Sequence, residues 1–313
     1  MNAPVTPQAL ARAANPFELD DEASYRRWRE AKLAACPSTV DELVVDIADP
    51  AALTSAERGA LLQRLSRTNM ALYRAHTRQD DKAAVVALGR QLGLRQLDAN
   101  WLADEDGLSN ITQSDQTDGR GGFIPYTDRP INWHTDGYYH PQERRIRGMV
   151  LHCARPAREG GVNALLDPEL AYIALRDASP GHVRALMAPD AMTIPERRDP
   201  IEDGSGVARP AQAGPVFSVN DGDGTLHMRY TARTRSIEWR ADAATRAAVA
   251  CLAALLAGRS ALIWRVRMEA GMGLVSHNVL HDRSGFRDDA AQPRLLYRAR
   301  YLDRSLAPEL AWR

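Results

Sequence analysis

Apolar positions in the first hundred residues recur at helical spacing; beyond residue 108 they shorten into runs that alternate with turn residues. Asp20-Asp21-Glu22 opens a helix that carries Tyr25, Trp28 and Leu33 to about Ala35, with acids at the start to complement its dipole and Pro37 after its end. Glu42 to Ile47 predicts a short strand. Thr54-Ser55-Ala56-Glu57 is a capping box, and Leu61, Leu62 and Leu65 stripe the helix behind it. Met70 to Tyr73 predicts a strand, and Asp80 to Leu92 a helix closed by Gly93. Further on, Ile146 to Cys153, Ala164 to Leu166, Leu262 to Val266, Gly271 to Val275 and Arg294 to Tyr301 read as strands. Asp167-Pro168 and Ser179-Pro180 each supply an N-cap followed by a first-turn proline. Val216 to Thr231 predicts a hairpin around Asn220–Gly224, and Asp242 to Leu256 an Ala/Leu-rich helix. Residues 196–215 have no apolar period and predict a mobile, lid-like loop.

Many strands with helices gathered outside them predict a mainly β fold with flanking helices. The expected core is a double-stranded β-helix, or jelly roll, with an α/β N-terminal extension. Residues 1–17 are expected to be loose, 18–107 to pack on the core as a helical and short-strand scaffold, and 108–313 to form the core of one integrated domain.

Composition removes several function classes. The 313 residues carry 40 basic and 40 acidic side chains, so no charge excess points to nucleic acid or to an anionic membrane. No apolar run reaches the length of a membrane span. Three widely spaced cysteines, Cys36, Cys153 and Cys251, offer neither a Cys-x-x-Cys pair nor a disulfide framework. Met1 to Pro16 lacks the basic start and apolar core of a signal peptide, so a cytoplasmic protein is expected. A small molecule is the expected partner, and the assembly state, homo-oligomer included, stays open.

The candidate chemistry lies in Asn132-Trp133-His134-Thr135-Asp136-Gly137-Tyr138. Residues two apart on a strand share a face, so an imidazole nitrogen of His134 and a carboxylate oxygen of Asp136 can converge on one ion. With a second histidine this is the two-His-one-carboxylate set that binds Fe(II) and leaves coordination positions open. His281, in Leu280-His281-Asp282-Arg283-Ser284-Gly285-Phe286, is followed thirteen residues later by Pro293-Arg294. A His/Asp/His zinc hydrolase or lyase, and a non-catalytic binding barrel, remain as alternatives at this point.

In these segments the chain resembles the taurine dioxygenase/γ-butyrobetaine hydroxylase superfamily of Fe(II)/2-oxoglutarate dioxygenases. The likeness rests on Trp133-His134-Thr135-Asp136, on Gly160-Gly161-Val162-Asn163, on Leu280 to Phe286 and on Arg294, in the family's order and spacing. It covers roughly residues 108–303. The resemblance implies Fe(II) held by His134, Asp136 and His281, with 2-oxoglutarate as cosubstrate and O2 as oxidant. It implies hydroxylation or oxidative cleavage at an unactivated C–H of a small polar, anionic or zwitterionic metabolite, with release of succinate and CO2. Arg294 would hold the far carboxylate of 2-oxoglutarate; Asn163 stands where the family usually has Thr and would donate to the same group. Arg298 would grip an anionic substrate, with Arg300 of the same parity competing for that role. Tyr138 and Asn132 share the parity of the ligands and are further substrate-contact candidates. His140 and His277 are expected to lie beside the ligands rather than among them. A carboxylate at position 136 also argues against a halogenase, which needs that iron position open.

Overall fold

The structure, a computed structural model, describes residues 15–307 apart from positions 78, 99–103, 105, 115–122, 199–206, 234–236 and 290. Two sheets position the site. Their strands, in chain order, are β1 (Val44–Ile47), β2 (Met70–Ala75), β3 (Ser109–Ile111), β4 (Ile131–His134), β5 (Gly148–Arg155), β6 (Asn163–Leu166), β7 (Trp264–Val266), β8 (Met272–Ser276), β9 (Leu280–Arg283) and β10 (Leu295–Tyr301). The larger sheet runs β1-β2-β8-β5-β10-β3 and the smaller β7-β6-β9-β4. All neighbours are antiparallel except the parallel pair β1 and β2.

Alternation along β5 shows how the larger sheet is buried on both sides. Met149, Leu151 and Cys153 face a core that also holds Leu165, Trp264 and Leu280 of the smaller sheet. Val150 and Ala154 face the opposite way, onto Leu61 and Leu65 of helix α1 (Ser55–Thr68) and Val85 and Leu88 of helix α2 (Lys82–Gln91). Strands β1 and β2 thus extend the sheet itself, while the two helices cover its outer face. The capping box at Thr54 and Glu57 closes both ways: Glu57 N donates to Thr54 Oγ1 at 3.2 Å and Thr54 N to Glu57 Oε2 at 2.7 Å.

Three expectations change. Of the expected loose N-terminus, residues 1–14 lie outside the described positions. Phe17, however, is buried edge-on against Trp28 and Tyr172, with ring centroids 5.0 and 5.4 Å away; an aromatic followed by a helix start is a docking anchor, which composition alone hides. The expected loop at 196–215 contains regular pairing. Arg197–Arg198 pairs with Val207–Arg209, and Gln212–Gly214 pairs with Met192–Ile194; residues 199–206 lie outside the described positions. Strands of two or three residues are too short to show a period. In β4, finally, three residue steps from Ile131 to His134 match two steps of β9 from Arg283 to His281. This bulge resets the alternation on which the placement of Asn132 depended.

A buried ion cluster ties the N-terminal helix to the core. Lys32, fully buried, pairs with Asp167 at 2.7 Å and with Glu169, and Asn69 donates to Asp167 at 2.9 Å. Lys32→Ala would leave Asp167 and Glu169 facing each other without the cation that bridges them. The expected cost is about 3–5 kcal/mol, read as a shift in the denaturant midpoint; a midpoint within experimental error of the parent would show that the cluster does not support the fold. Among the described residues, no helix is long and apolar enough to cross a membrane.

Candidate metal centre

His134 and His281 sit directly opposite each other in the β4–β9 register, with ring centroids 4.2 Å apart. Each ring is oriented by its own strand: His134 Nδ1 lies 2.9 Å from the Asn132 carbonyl and His281 Nδ1 2.9 Å from that of Val279. A carbonyl only accepts, so in both rings Nδ1 carries the proton and Nε2 keeps its lone pair free. Burial first, and then the neighbouring His281, push His134 down to about 3, which keeps it a neutral ligand at physiological pH.

Asp136 lies just past the end of β4 and is 5 % exposed. Burial would raise its pKa, but the guanidiniums of Arg298 and Arg300 outweigh burial and hold the carboxyl well below its usual range. One ligand atom from each of His134, Asp136 and His281 lies within 4.8 Å of the others. Asp136 Oδ2 is buried without a well-directed hydrogen bond; Arg298 Nη1 stands 3.3 Å from it. Two oriented imidazole lone pairs and a charged, under-satisfied carboxylate oxygen fit a divalent cation.

The backbone at Asp136 is clamped. Asn278 Oδ1 accepts from Asp136 N at 2.8 Å, and Asn278 Nδ2 donates to the carbonyls of Asp136 and Ile146, both at 2.9 Å. Asn278 itself is in the left-handed region at φ 56°, which asparagine tolerates because its short amide bonds locally. On the far side of Asp136, Gly137 has φ 67°, and a Cβ there would sit 2.5 Å from Ile146. Sequence reading expected His277 beside the ligands and gave Asn278 no role. Asn278→Ala is expected to weaken Fe(II) binding about 10–100-fold with the fold retained, measured by metal titration; unchanged affinity would show that the clamp does not set the carboxylate.

Arg294 is 5 % exposed, and among the described residues its guanidinium has no carboxylate at ion-pair distance. It faces the Phe286 ring at 5.0 Å and lines a narrow recess with Asn163, Gly161, Met268 and Leu296. Burial pushes it down to about 10, so it stays charged at neutral pH. Asn163 is buried, and its amide makes only a long 3.4 Å contact to the Gly161 carbonyl. Gly160 allows the turn: at φ 76° a Cβ would meet the Gly285 carbonyl at 2.4 Å.

Along β10, Leu296 faces the shared core, and Arg298 and Arg300 share its face. Arg298 reaches Asp136. Arg300 instead pairs with buried Asp98 and donates to Tyr139 Oη at 3.0 Å. Tyr138 turns toward a recess on the side of the centre where residues 213–229 lie. Asn132 is exposed: the bulge in β4 takes its side chain to a broad groove shared with Asp282 and Ala253, and only its carbonyl serves the site. His140 Nδ1 bonds the Arg144 carbonyl, and His277 bonds Asn69 and Ser305; neither joins the three ligands.

The sequence was compared with known proteins. The model of the family described as taurine catabolism dioxygenase TauD, TfdA matches residues 31–300. A uridine-5'-phosphate dioxygenase of a Streptomyces species is 31 % identical over 209 residues, covering 63 % of this chain and 69 % of the relative. Asparagine oxygenase in complex with Fe(II), 3-hydroxyasparagine and succinate superposes with a TM-score of 0.55 at 16 % identity, covering 90 % of this chain and 92 % of the other. AAD-2 in complex with Mn(II) and N-oxalylglycine gives a TM-score of 0.58 at 14 % identity, covering 86 % and 96 %.

Proposed function

We propose, for a chain that belongs to the TauD, TfdA dioxygenase family, that His134, Asp136 and His281 hold the ferrous ion and that Arg294 and Asn163 receive 2-oxoglutarate. The protein is an Fe(II)- and 2-oxoglutarate-dependent dioxygenase that acts on a small polar substrate and uses O2. The observation that carries the residue assignment is the pair of Nε2 lone pairs, each oriented by a carbonyl of its own strand, facing the Asp136 carboxylate. When bound, iron and cosubstrate supply the oxidation of a substrate C–H coupled to release of succinate and CO2.

The chain's own residues do the rest. His134 offers a neutral donor and Asp136 an anionic one, and Asn278 fixes the backbone that carries the carboxylate. Arg294 offers two parallel N–H groups to a carboxylate in a recess lined by Leu296 and Met268, with the Phe286 ring beside the guanidinium. A hydrolase or a simple binding barrel has no use for such a buried, unpaired arginine. Arg298, the cation nearest Asp136, orients an anionic group of the substrate, and the relative named for a nucleoside monophosphate supports an anionic substrate. The alternation of β3 to β6, and again of β7 to β10, between the two sheets supports a jelly-roll core with the N-terminal third built onto it. The three cysteines are free thiols, which suits a reducing, cytoplasmic setting.

The substrate reading is tested by succinate release with a panel of amino acids, sulfonates, betaines, and uridine-5'-phosphate against uridine. Anionic members are expected to stimulate release, and Arg298→Gln to lose about tenfold of that stimulation. Equal stimulation by neutral counterparts, unaffected by Arg298→Gln, would contradict it.

A further inference from the structure

Outside the metal centre, Arg145 and Arg229 make no ion pair with a carboxylate among the described residues, though Asp221 and Glu143 act on Arg145 at longer range. The hairpin of Phe217–Val219 and Leu226–Met228 turns Phe217, Leu226 and Met228 into the core. Alternation sends Ser218, His227 and, one step beyond, Arg229 to the opposite face. There they meet Tyr138 and Arg145 around a narrow recess, open to solvent, whose described lining contains no Asp or Glu. Among the described residues, Arg229 bonds backbone carbonyls alone, those of Met192 and Gln212, and its buried Nε has no hydrogen-bond partner. Among the described residues, Arg145 bonds the Gln142 carbonyl at 3.0 Å and the Ser218 hydroxyl at 3.2 Å. Arg147, beside them, is already paired with Asp223.

Electrostatics agrees with this geometry. Burial, and then Arg145, Arg147 and Arg229, push His227 down to about 3, so its ring is neutral. Burial also pushes Arg229 down to about 10. Two guanidiniums drawn partly out of water against neutral acceptors carry an uncompensated desolvation cost. A tetrahedral dianion would remove that cost, because each planar guanidinium can donate two parallel N–H groups to its oxygens. Ser218 Oγ accepts from Arg145 and keeps its own proton to donate. The neutral imidazole adds one further N–H.

We propose that this recess is a binding site for a phosphate group, held by Arg145 and Arg229 and finished by Ser218 and His227. Tyr138 stands two residues from Asp136 and lines the recess, so the site adjoins the metal centre. The phosphate can come from two sources. It can be an ester carried by the substrate, a branch that rests on the oxygenase reading above and in which Arg145 and Arg229, rather than Arg298, take a phosphate ester, or it can be free inorganic phosphate.

The test is a calorimetric titration of inorganic phosphate into the full chain, with chloride at equal ionic strength as control. Saturable binding is expected, and Arg145→Gln should weaken it at least about tenfold. Ser218→Ala, which removes only a hydroxyl, should weaken it less, and circular dichroism shows whether either variant remains folded. His134→Ala should bind phosphate as the parent does, so failure of the metal assignment and failure of this site are read separately. In the succinate assay, competition of phosphate against uridine-5'-phosphate would assign the site to the substrate's ester; binding without competition would assign it to free phosphate. No saturable binding by the parent, or equal binding by the parent and a folded Arg145→Gln, would overturn the site.

Discussion

Arg294→Ala is expected to raise the 2-oxoglutarate concentration for half-maximal turnover roughly a hundredfold while lowering kcat much less. Truncating one partner of a buried, hydrogen-bonded charge pair costs about 2–5 kcal/mol, and each 1.4 kcal/mol is about tenfold. A hundredfold is about 2.8 kcal/mol and falls within that range, as fits an arginine that is buried and without a carboxylate of its own in the described structure. The split toward KM follows from the proposed contact, which is made to the cosubstrate's far carboxylate and is therefore the same before and during the reaction. Arg294→Lys should recover only part of the loss. An ammonium lacks the planar fork, and in the recess of Phe286, Leu296 and Met268 it would lose its proton more readily than a guanidinium. An unchanged KM in Arg294→Ala, with succinate still formed, would place 2-oxoglutarate elsewhere.

Asp136→Ala should reduce succinate formation by about three orders of magnitude, with or without substrate, and should release bound iron. Asp136 is the only anion of the proposed ligand set, and Arg298 and Arg300 face it. Without it, a divalent cation would meet two neutral imidazoles and two nearby guanidiniums, and breaking a buried charge set costs about 3–5 kcal/mol. Asp136→Asn tests the charge alone, since its shape is nearly preserved and the Asn278 clamp on the backbone remains. It should bind iron more weakly than the parent but better than Asp136→Ala. Full uncoupled turnover in Asp136→Ala would remove this residue from the ligand set.

What could be read from the chain before its structure depended on how local each signal was. His134 and Asp136 are two residues apart, and the strand-end geometry brings them together as that spacing expects. Arg298 and Arg300 lie on an unbroken stretch of β10, so parity placed both on the inner face; only side-chain contacts show that one meets Asp136 and the other Asp98. Asn132 failed the same parity argument because β4 bulges between Ile131 and His134, and a bulge leaves no mark in four residues of sequence. The role of Asn278 depends on a left-handed backbone and a partner 142 residues away. The cationic recess joins three segments, around residues 138–145, 213–218 and 227–229, none of which carries a recognisable pattern alone.

The most direct measurement is an anaerobic titration of the metal-free chain with Fe(II), followed by 2-oxoglutarate, observed in the visible spectrum. A weak metal-to-ligand charge-transfer band should grow to about one iron per chain, disappear in His134→Ala, Asp136→Ala and His281→Ala, and need far more 2-oxoglutarate in Arg294→Ala. No band in the parent, or a band of full intensity in all three ligand variants, would contradict the assignment of the metal to these side chains.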